Sequence, residues 1–210
     1  MKPSTSPLIS SPEDTALEAH LKAYLHQVCA NAAVHARFLN TVSFLEHMGS
    51  RKIMLSQATH ALSLSMLQHL AEETRHAFFF RKAAEKLAGH ALTYGTDNVL
   101  APPAARMYLG RLDAAISREV RGHSPHLPYL YVSAVVEVRA MWFFRLYDAV
   151  LREENQGISL RGVIAEEEGH LEDMTAKLQA LDERYPERFP QFLTYEKGLF
   201  EKLLPRLLVG

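Results

Sequence analysis

The sequence predicts an all-α fold: a four-helix bundle with an extra helix in the long crossover between helices 2 and 3, and a short C-terminal helix. Two observations predict it. Apolar residues recur at helical spacing along most of the chain, and no segment shows the alternation of a strand. With 210 residues, 48% of them hydrophobic, the chain can bury one core. We therefore expect a flexible N-terminus over 1–11 and a single helical domain over 12–210.

The first helix begins at Pro12, because Ser11 before it is a good N-cap and proline fits the first helical position. The pattern then continues almost unbroken from Thr15 to about Leu55, as one long helix or as two.

The position of the turn after this stretch decides whether Glu46 lies level with Glu73 on the next helix. We favour a turn at Ser56 to Thr59, midway between Glu46 and Glu73. If the chain instead reverses at Gly49, residues 26–27 would lie level with Glu73, and Glu46 would leave the site.

The remaining elements are marked by glycine, proline and polar turns. We expect the second helix to end at about Ala88, and the crossover over 90–128 to contain a helix from about Pro103 to Val120. The third helix should span about Pro128 to Glu154, and the fourth about Ser159 to Glu183. After breaks at Pro186 and Pro190, a final helix should end near Pro205.

One arrangement of acidic and histidine residues occurs twice in this helical frame. A single carboxylate in an apolar stretch is followed, about one helical hairpin later, by Glu-x-x-His. Residues three apart lie on one face of a helix, so each Glu-x-x-His can chelate one metal ion. The six residues are Glu46, Glu73 and His76 in the first half and Glu137, Glu167 and His170 in the second.

Glu137 carries the stronger signal, because it follows a long apolar run where a core residue is expected. A buried lone carboxylate needs a partner, and two divalent cations would balance four carboxylates. The alternative for Glu137 is a solvated or ion-paired helix face. That alternative is stronger for Glu46, after which polar residues begin at once.

Mixed oxygen and imidazole donors favour iron or manganese. The single Cys29 excludes a four-cysteine zinc or iron–sulfur site, and we expect it to be a small buried apolar residue.

With these motifs, residues from about 30 to 180 resemble the ferritin-like di-iron carboxylate superfamily. The resemblance implies that the six residues hold two Fe ions, with Mn or a mixed Fe/Mn pair as alternatives. The chain departs from rubrerythrins, which add a four-cysteine centre, and from storage ferritins, which lack the crossover helix. The layout is similar to that of single-chain oxygenases and oxidases, including tRNA-hydroxylating, N-oxygenating and aldehyde-deformylating enzymes.

The resemblance implies an oxidoreductase that activates dioxygen to oxidise a small apolar or aromatic substrate. The alternative is a metal-binding bundle of ferritin or rubrerythrin type that handles iron or peroxide without an organic substrate. No phosphate-cradling glycine motif is present, so an enzyme would need an external electron donor, a ferredoxin or reductase.

Charge and segment composition limit the partners. The net charge is −1 and the estimated pI is 6.8, so nucleic-acid binding has no support. The N-terminus lacks the apolar core of a secretion signal, and no stretch approaches the apolar run of a membrane span. We expect a cytoplasmic protein, and a homodimer by base rate.

Several other side chains were weighed as parts of the site. Small residues near Glu46 that face Met and Phe on other helices would leave an apolar pocket, and ordinary core packing is the alternative. The small residues are Ser43, Gly49 and Ser50, and the larger ones are Phe80, Met141 and Phe144. His69 is expected to be exposed or satisfied in the core, and Glu72, Glu166 and Glu168 to be solvated.

Overall fold

The computed structural model describes residues 12–56 and 63–208, so the expected flexible segment 1–11 lies outside the described residues. These residues form seven α-helices and no strand, which confirms the all-α prediction. The helices are α1 (Pro12–Cys29), α2 (Ala32–Ser56), α3 (Leu64–Ala88), α4 (Pro102–Glu119), α5 (Leu127–Glu153), α6 (Arg161–Leu181) and α7 (Tyr185–Leu208).

Two helix pairs contain the motif residues. Helix α2 packs along α3, and α5 packs along α6; α2 also touches α5, and α3 touches α6. Helix α1 covers α2 and α5, while α4 and α7 pack on each other and on α5. Helix α5 therefore lies at the centre of the core, which agrees with its long apolar run.

The break between α1 and α2 was not predicted at its actual position. Helix α1 ends at Cys29, and the Asn31 side chain accepts hydrogen bonds from the backbone N–H groups of Ala33 (3.0 Å) and Val34 (3.2 Å). Asparagine is among the preferred N-cap residues, because its side-chain oxygen satisfies donors that the first turn leaves free. Asn31 was therefore the residue from which the sequence could have located the start of α2.

Helix α2 continues through Gly49 to Ser56, so the chain does not reverse at Gly49. The alternative that would have removed Glu46 from the site is therefore wrong. The favoured turn lies almost entirely in segment 57–62, outside the described residues.

The C-terminal helix differs from the prediction. Helix α7 has 24 residues and contains Pro190 and Pro205, instead of being a short helix that begins after the prolines. Pro186 falls in its first turn, where the missing N–H costs nothing. The loss at Pro190 is outweighed by burial of the apolar face of the helix, which includes Phe192, Leu199 and Leu203.

Buried ion pairs fasten α7 to the rest of the fold. Arg139 of α5 pairs with Glu196 (Nη2–Oε2 2.8 Å), and the Tyr108 hydroxyl of α4 donates to the same carboxylate (2.6 Å). Arg188 pairs with Asp182 at 2.8 Å. Each buried charge has a partner, as burial requires.

Helix α5 is the one helix of the described residues whose length and composition would allow it to cross a membrane. Just over half of this apolar stretch is buried inside the protein. A core helix of a soluble protein passes the same test, so the signal is weak and consistent with a soluble protein.

Candidate metal centre

The structure brings all six predicted residues together between the two helix pairs. Two groups of four side chains could each hold a metal ion, and the donor atoms of each group lie within 4.8 Å of one another. Position 1 consists of Glu46, Glu73, His76 and Glu167, and position 2 consists of His69, Glu73, Glu137 and His170. Glu73 belongs to both groups, so it could contribute a donor atom to both positions.

Each histidine directs one ring nitrogen toward these carboxylates. The Nδ1 atom of His76 lies 3.0 Å from Glu167 Oε1 and 3.9 Å from Glu46 Oε2. The Nε2 atom of His69 lies 3.3 Å from Glu73 Oε1 and 3.4 Å from Glu137 Oε1. These distances leave the donor atoms facing one another around two points.

Three of these buried atoms have no hydrogen-bond partner among the described residues: His69 Nε2, Glu73 Oε1 and His76 Nδ1. Orphaned buried polar atoms are rare, and each calls for an explanation such as an ion. All three belong to the two groups. The residues present therefore fit two metal ions.

The other nitrogen of each motif histidine is held by a carboxylate of the opposite helix pair. His76 Nε2 donates to Glu166 Oε2 on α6, and His170 Nε2 donates to Glu72 Oε2 on α3, both at 2.7 Å. Such contacts orient a ligand histidine and make it more basic. The expectation that Glu72 and Glu166 are merely solvated is therefore wrong.

His69 is the residue that the sequence interpretation discounted and the structure places in a metal group. It is buried one helical turn before Glu73, and its Nδ1 shares a 2.9 Å hydrogen bond with the Tyr129 hydroxyl. The i, i+4 spacing to Glu73 was visible in the sequence, but a helical neighbour need not face the same partners. Only the approach of α5 gives His69 its second carboxylate neighbour, Glu137, and only the approach of α6 places the His170 ring beside it.

The carboxylates of the two groups lie close enough to repel one another. Burial, followed by the charges of Glu73 and Glu167, raises the pKa of Glu46 well above its usual value. Burial also raises the pKa of Glu137 strongly, with Glu167 and Glu73 adding to the effect.

Two other groups of the site shift toward their charged forms. Burial disfavours the charged form of Glu167, but the hydrogen bond from His170 and the nearby imidazole of His76 hold its pKa well below the usual range. Burial likewise opposes the imidazolium of His170, yet hydrogen bonds to Glu167 and Glu72 raise its pKa to about 9.

An apolar cavity of about 420 Å³ adjoins the centre. Its walls include His69 and the carboxylates Glu46, Glu73, Glu137 and Glu167. Its volume lies within the range of small-molecule pockets, about 300–1,000 Å³.

The residues that the sequence predicted to form an apolar pocket supply only part of this cavity wall. Of the six residues considered, Gly49 and Phe144 line the cavity. Ser43 instead donates to the Ala77 carbonyl (2.6 Å), and Phe80 stacks on Phe144 within the core.

A second, more polar cleft lies on the α3–α6 side and has a volume of about 760 Å³. His69, Glu72, Glu166 and His170 line it together with Lys177. The candidate centre therefore has an apolar approach on one side and a polar approach on the other.

Two acidic residues outside the centre have structural partners. Exposed Glu168 pairs with Arg145, as expected of a solvated residue. Asp148 accepts the backbone N–H of Leu160 at 2.8 Å, so it supports the turn before α6.

No protein-family model, curated protein or solved structure matches this chain. The geometry by itself shows an all-helical protein with a buried cluster of carboxylates and histidines that could bind metal.

Proposed function

We propose that the chain is a non-haem di-iron oxygenase or oxidase of ferritin-like architecture, in which α2, α3, α5 and α6 form the four-helix bundle. The observation that carries the proposal is the pair of four-residue groups joined by Glu73, with three buried donor atoms that have no hydrogen-bond partner among the described residues. Four carboxylates and three imidazoles form a mixed oxygen and nitrogen donor set, which suits iron and manganese.

Position 1 would be held by Glu46, His76 and Glu167, and position 2 by His69, Glu137 and His170, with Glu73 between them. Two ferrous ions bound there would supply reducing power for dioxygen beside an organic substrate. For hydroxylation, C–H + O₂ + 2 e⁻ + 2 H⁺ gives C–OH + H₂O, and an external ferredoxin or reductase supplies the electrons.

The protein itself would position the metal-binding side chains and keep the apolar cavity separate from the polar cleft. Glu72 and Glu166 hold the outward nitrogens of His170 and His76, which directs their Nδ1 atoms toward the carboxylates of the centre. A substrate in the apolar cavity would lie beside the carboxylates, and the apolar wall would exclude water from that side of the centre. A cytoplasmic location is part of the proposal.

The cavity favours an organic substrate over iron or peroxide handling. An iron-handling site needs a hydrophilic route for ions, whereas the cavity beside the carboxylates is walled mainly by aliphatic and aromatic side chains. The polar α3–α6 cleft keeps the second function open, since it reaches His170 through Glu72 and Glu166.

The test is the metal content of protein purified without oxygen, followed by the optical change when dioxygen is added to the ferrous form. We expect about two irons per chain and a transient absorption that Glu137→Ala abolishes. Manganese loading serves as the second arm. A folded protein that takes up neither metal would overturn the proposal, and oxidation of many irons per chain without an organic substrate would indicate the iron-handling alternative.

A further inference from the structure

The apolar cavity crosses the fold and is not a compact pocket beside the metal centre. It extends from Leu21 of α1 and Leu207 of α7 to Glu167 of α6, and every one of the seven described helices contributes to its wall. Such a void suits an extended chain better than a single compact ring.

The wall is apolar between its two ends. Phe38 and Phe143 are among its aromatic residues, and Leu203 and Leu204 of α7 among its aliphatic ones. Arg139 also reaches the wall, but its guanidinium is paired with buried Glu196. The middle of the cavity therefore offers hydrophobic contact and no free charge, which favours a hydrocarbon body.

Positive charge collects where the cavity wall meets solvent, between α2 and α4. Arg51 and Arg106 are exposed and line the cavity, and neither has an ion-pair partner among the described residues. Lys52 of α2 pairs with Asp113 of α4 across the same rim (Nζ–Oδ1 2.6 Å). Apart from the carboxylates of the centre and paired Glu196 nearby, Asp113 is the acidic group at the cavity, so the rim has a net positive charge.

The rim and the centre lie at different depths. Lys52 follows Glu46 by six residues on the same helix, which corresponds to about 9 Å of rise along α2. A ligand whose anionic head rests on the rim would therefore place its hydrocarbon part, and not its head, beside the carboxylates.

We propose that the cavity binds a free fatty acid, with the carboxylate against Arg51, Lys52 and Arg106 and the hydrocarbon chain directed toward Glu46 and Glu137. This assignment rests on the proposed function for its chemistry: the carbon oxidised would lie along the chain, away from the carboxylate. The reaction keeps the balance given above, with one C–H bond replaced by C–O and the electrons taken from the external donor protein.

Binding is measured by calorimetry on metal-free full-length protein without a reductant, so the result does not depend on catalysis. Hexanoate, decanoate, tetradecanoate, decanol and benzoate are compared. We expect decanoate to bind more tightly than hexanoate, benzoate and decanol. In the double variant Arg51→Ala/Arg106→Ala, the decanoate affinity should fall about tenfold, because two exposed charge contacts are lost, while that of decanol stays unchanged.

Arg111→Ala is the matched control, since Arg111 is an exposed cation of α4 outside the cavity wall. Leu109→Trp fills the cavity away from the centre and should abolish decanoate binding while metal uptake remains normal. Circular dichroism checks that each variant is folded.

Two results would overturn the assignment: benzoate binding as tightly as decanoate, or decanoate binding that is insensitive to both the double variant and Leu109→Trp. Failure of the proposed function would look different. Decanoate would bind as described, but iron would not be taken up.

Discussion

The two helix pairs, α2–α3 and α5–α6, carry the same motif but are not equivalent. Glu46 corresponds to Glu137, and each pair also supplies a carboxylate to the histidine of the other pair. Four residues before the motif glutamate, however, α3 has His69, whereas α6 has buried Val163.

A second difference lies three residues after the lone carboxylate of each pair. The first pair has Gly49 there and the second has Ala140. A Cβ atom at Gly49 would lie 3.0 Å from Glu73 Oε2, so a side chain at this position would push the carboxylate by a few tenths of an ångström.

The comparison teaches that a repeated motif can create two chemically different metal positions. Position 1 has one imidazole and position 2 has two. An added nitrogen donor favours transition metals, so position 2 should bind its ion more tightly. The predictions below would break or sharpen this difference.

The largest effect is expected from the residue that the two positions share. Glu73→Ala removes a donor from both groups and should reduce metal uptake from about two ions per chain to well below one. Metal analysis after dialysis measures this. Glu168→Ala, which removes an exposed carboxylate of α6, is the control and should retain two ions.

His69→Val gives α3 the residue that α6 has at the equivalent position. We expect uptake of about one ion per chain, because position 2 loses one of its two nitrogens while position 1 keeps all of its donors. Competition titration with a chelator gives the two affinities separately. If both affinities fell equally, the two positions would not differ in the way described.

The outward carboxylates should have smaller and nearly equal effects. Glu72→Gln and Glu166→Gln each keep the side-chain shape but weaken the hold on one histidine. Loss of such an orienting contact lowers metal affinity about 10–100-fold. Titration of each variant should show the loss at a different position: position 2 for Glu72→Gln through His170, and position 1 for Glu166→Gln through His76. A loss at the same position in both variants would contradict the crossed arrangement.

The smallest effect on metal binding is expected at the Gly49 and Ala140 pair. Gly49→Ala should lower metal affinity severalfold by displacing Glu73, with little change in the free energy of unfolding, since alanine is the better helix former. Ala140→Gly is the reciprocal variant. It should cost about 1 kcal/mol of stability and leave metal affinity unchanged; chemical denaturation and metal titration together measure both quantities.

Local patterns in the sequence were sufficient for most of the helices. The ends of α3 at Ala88 and of α4 near Val120 agree with the predicted ones, because glycine and proline act on the adjacent turn. The same local rule failed at Pro190, where distant apolar partners keep α7 helical. The N-cap at Asn31 was local too, and the sequence interpretation overlooked it.

The sequence by itself determined an all-α fold and the six residues of the repeated motif, because three-residue spacing on a helix already places Glu and His on one face. Only the tertiary structure decided that His69 joins them, that Glu72 and Glu166 cross between the pairs, and that a charged rim leads into an apolar cavity. These features depend on which helices face each other. That choice is made by burial of the whole core, and no single helix carries it in its own sequence.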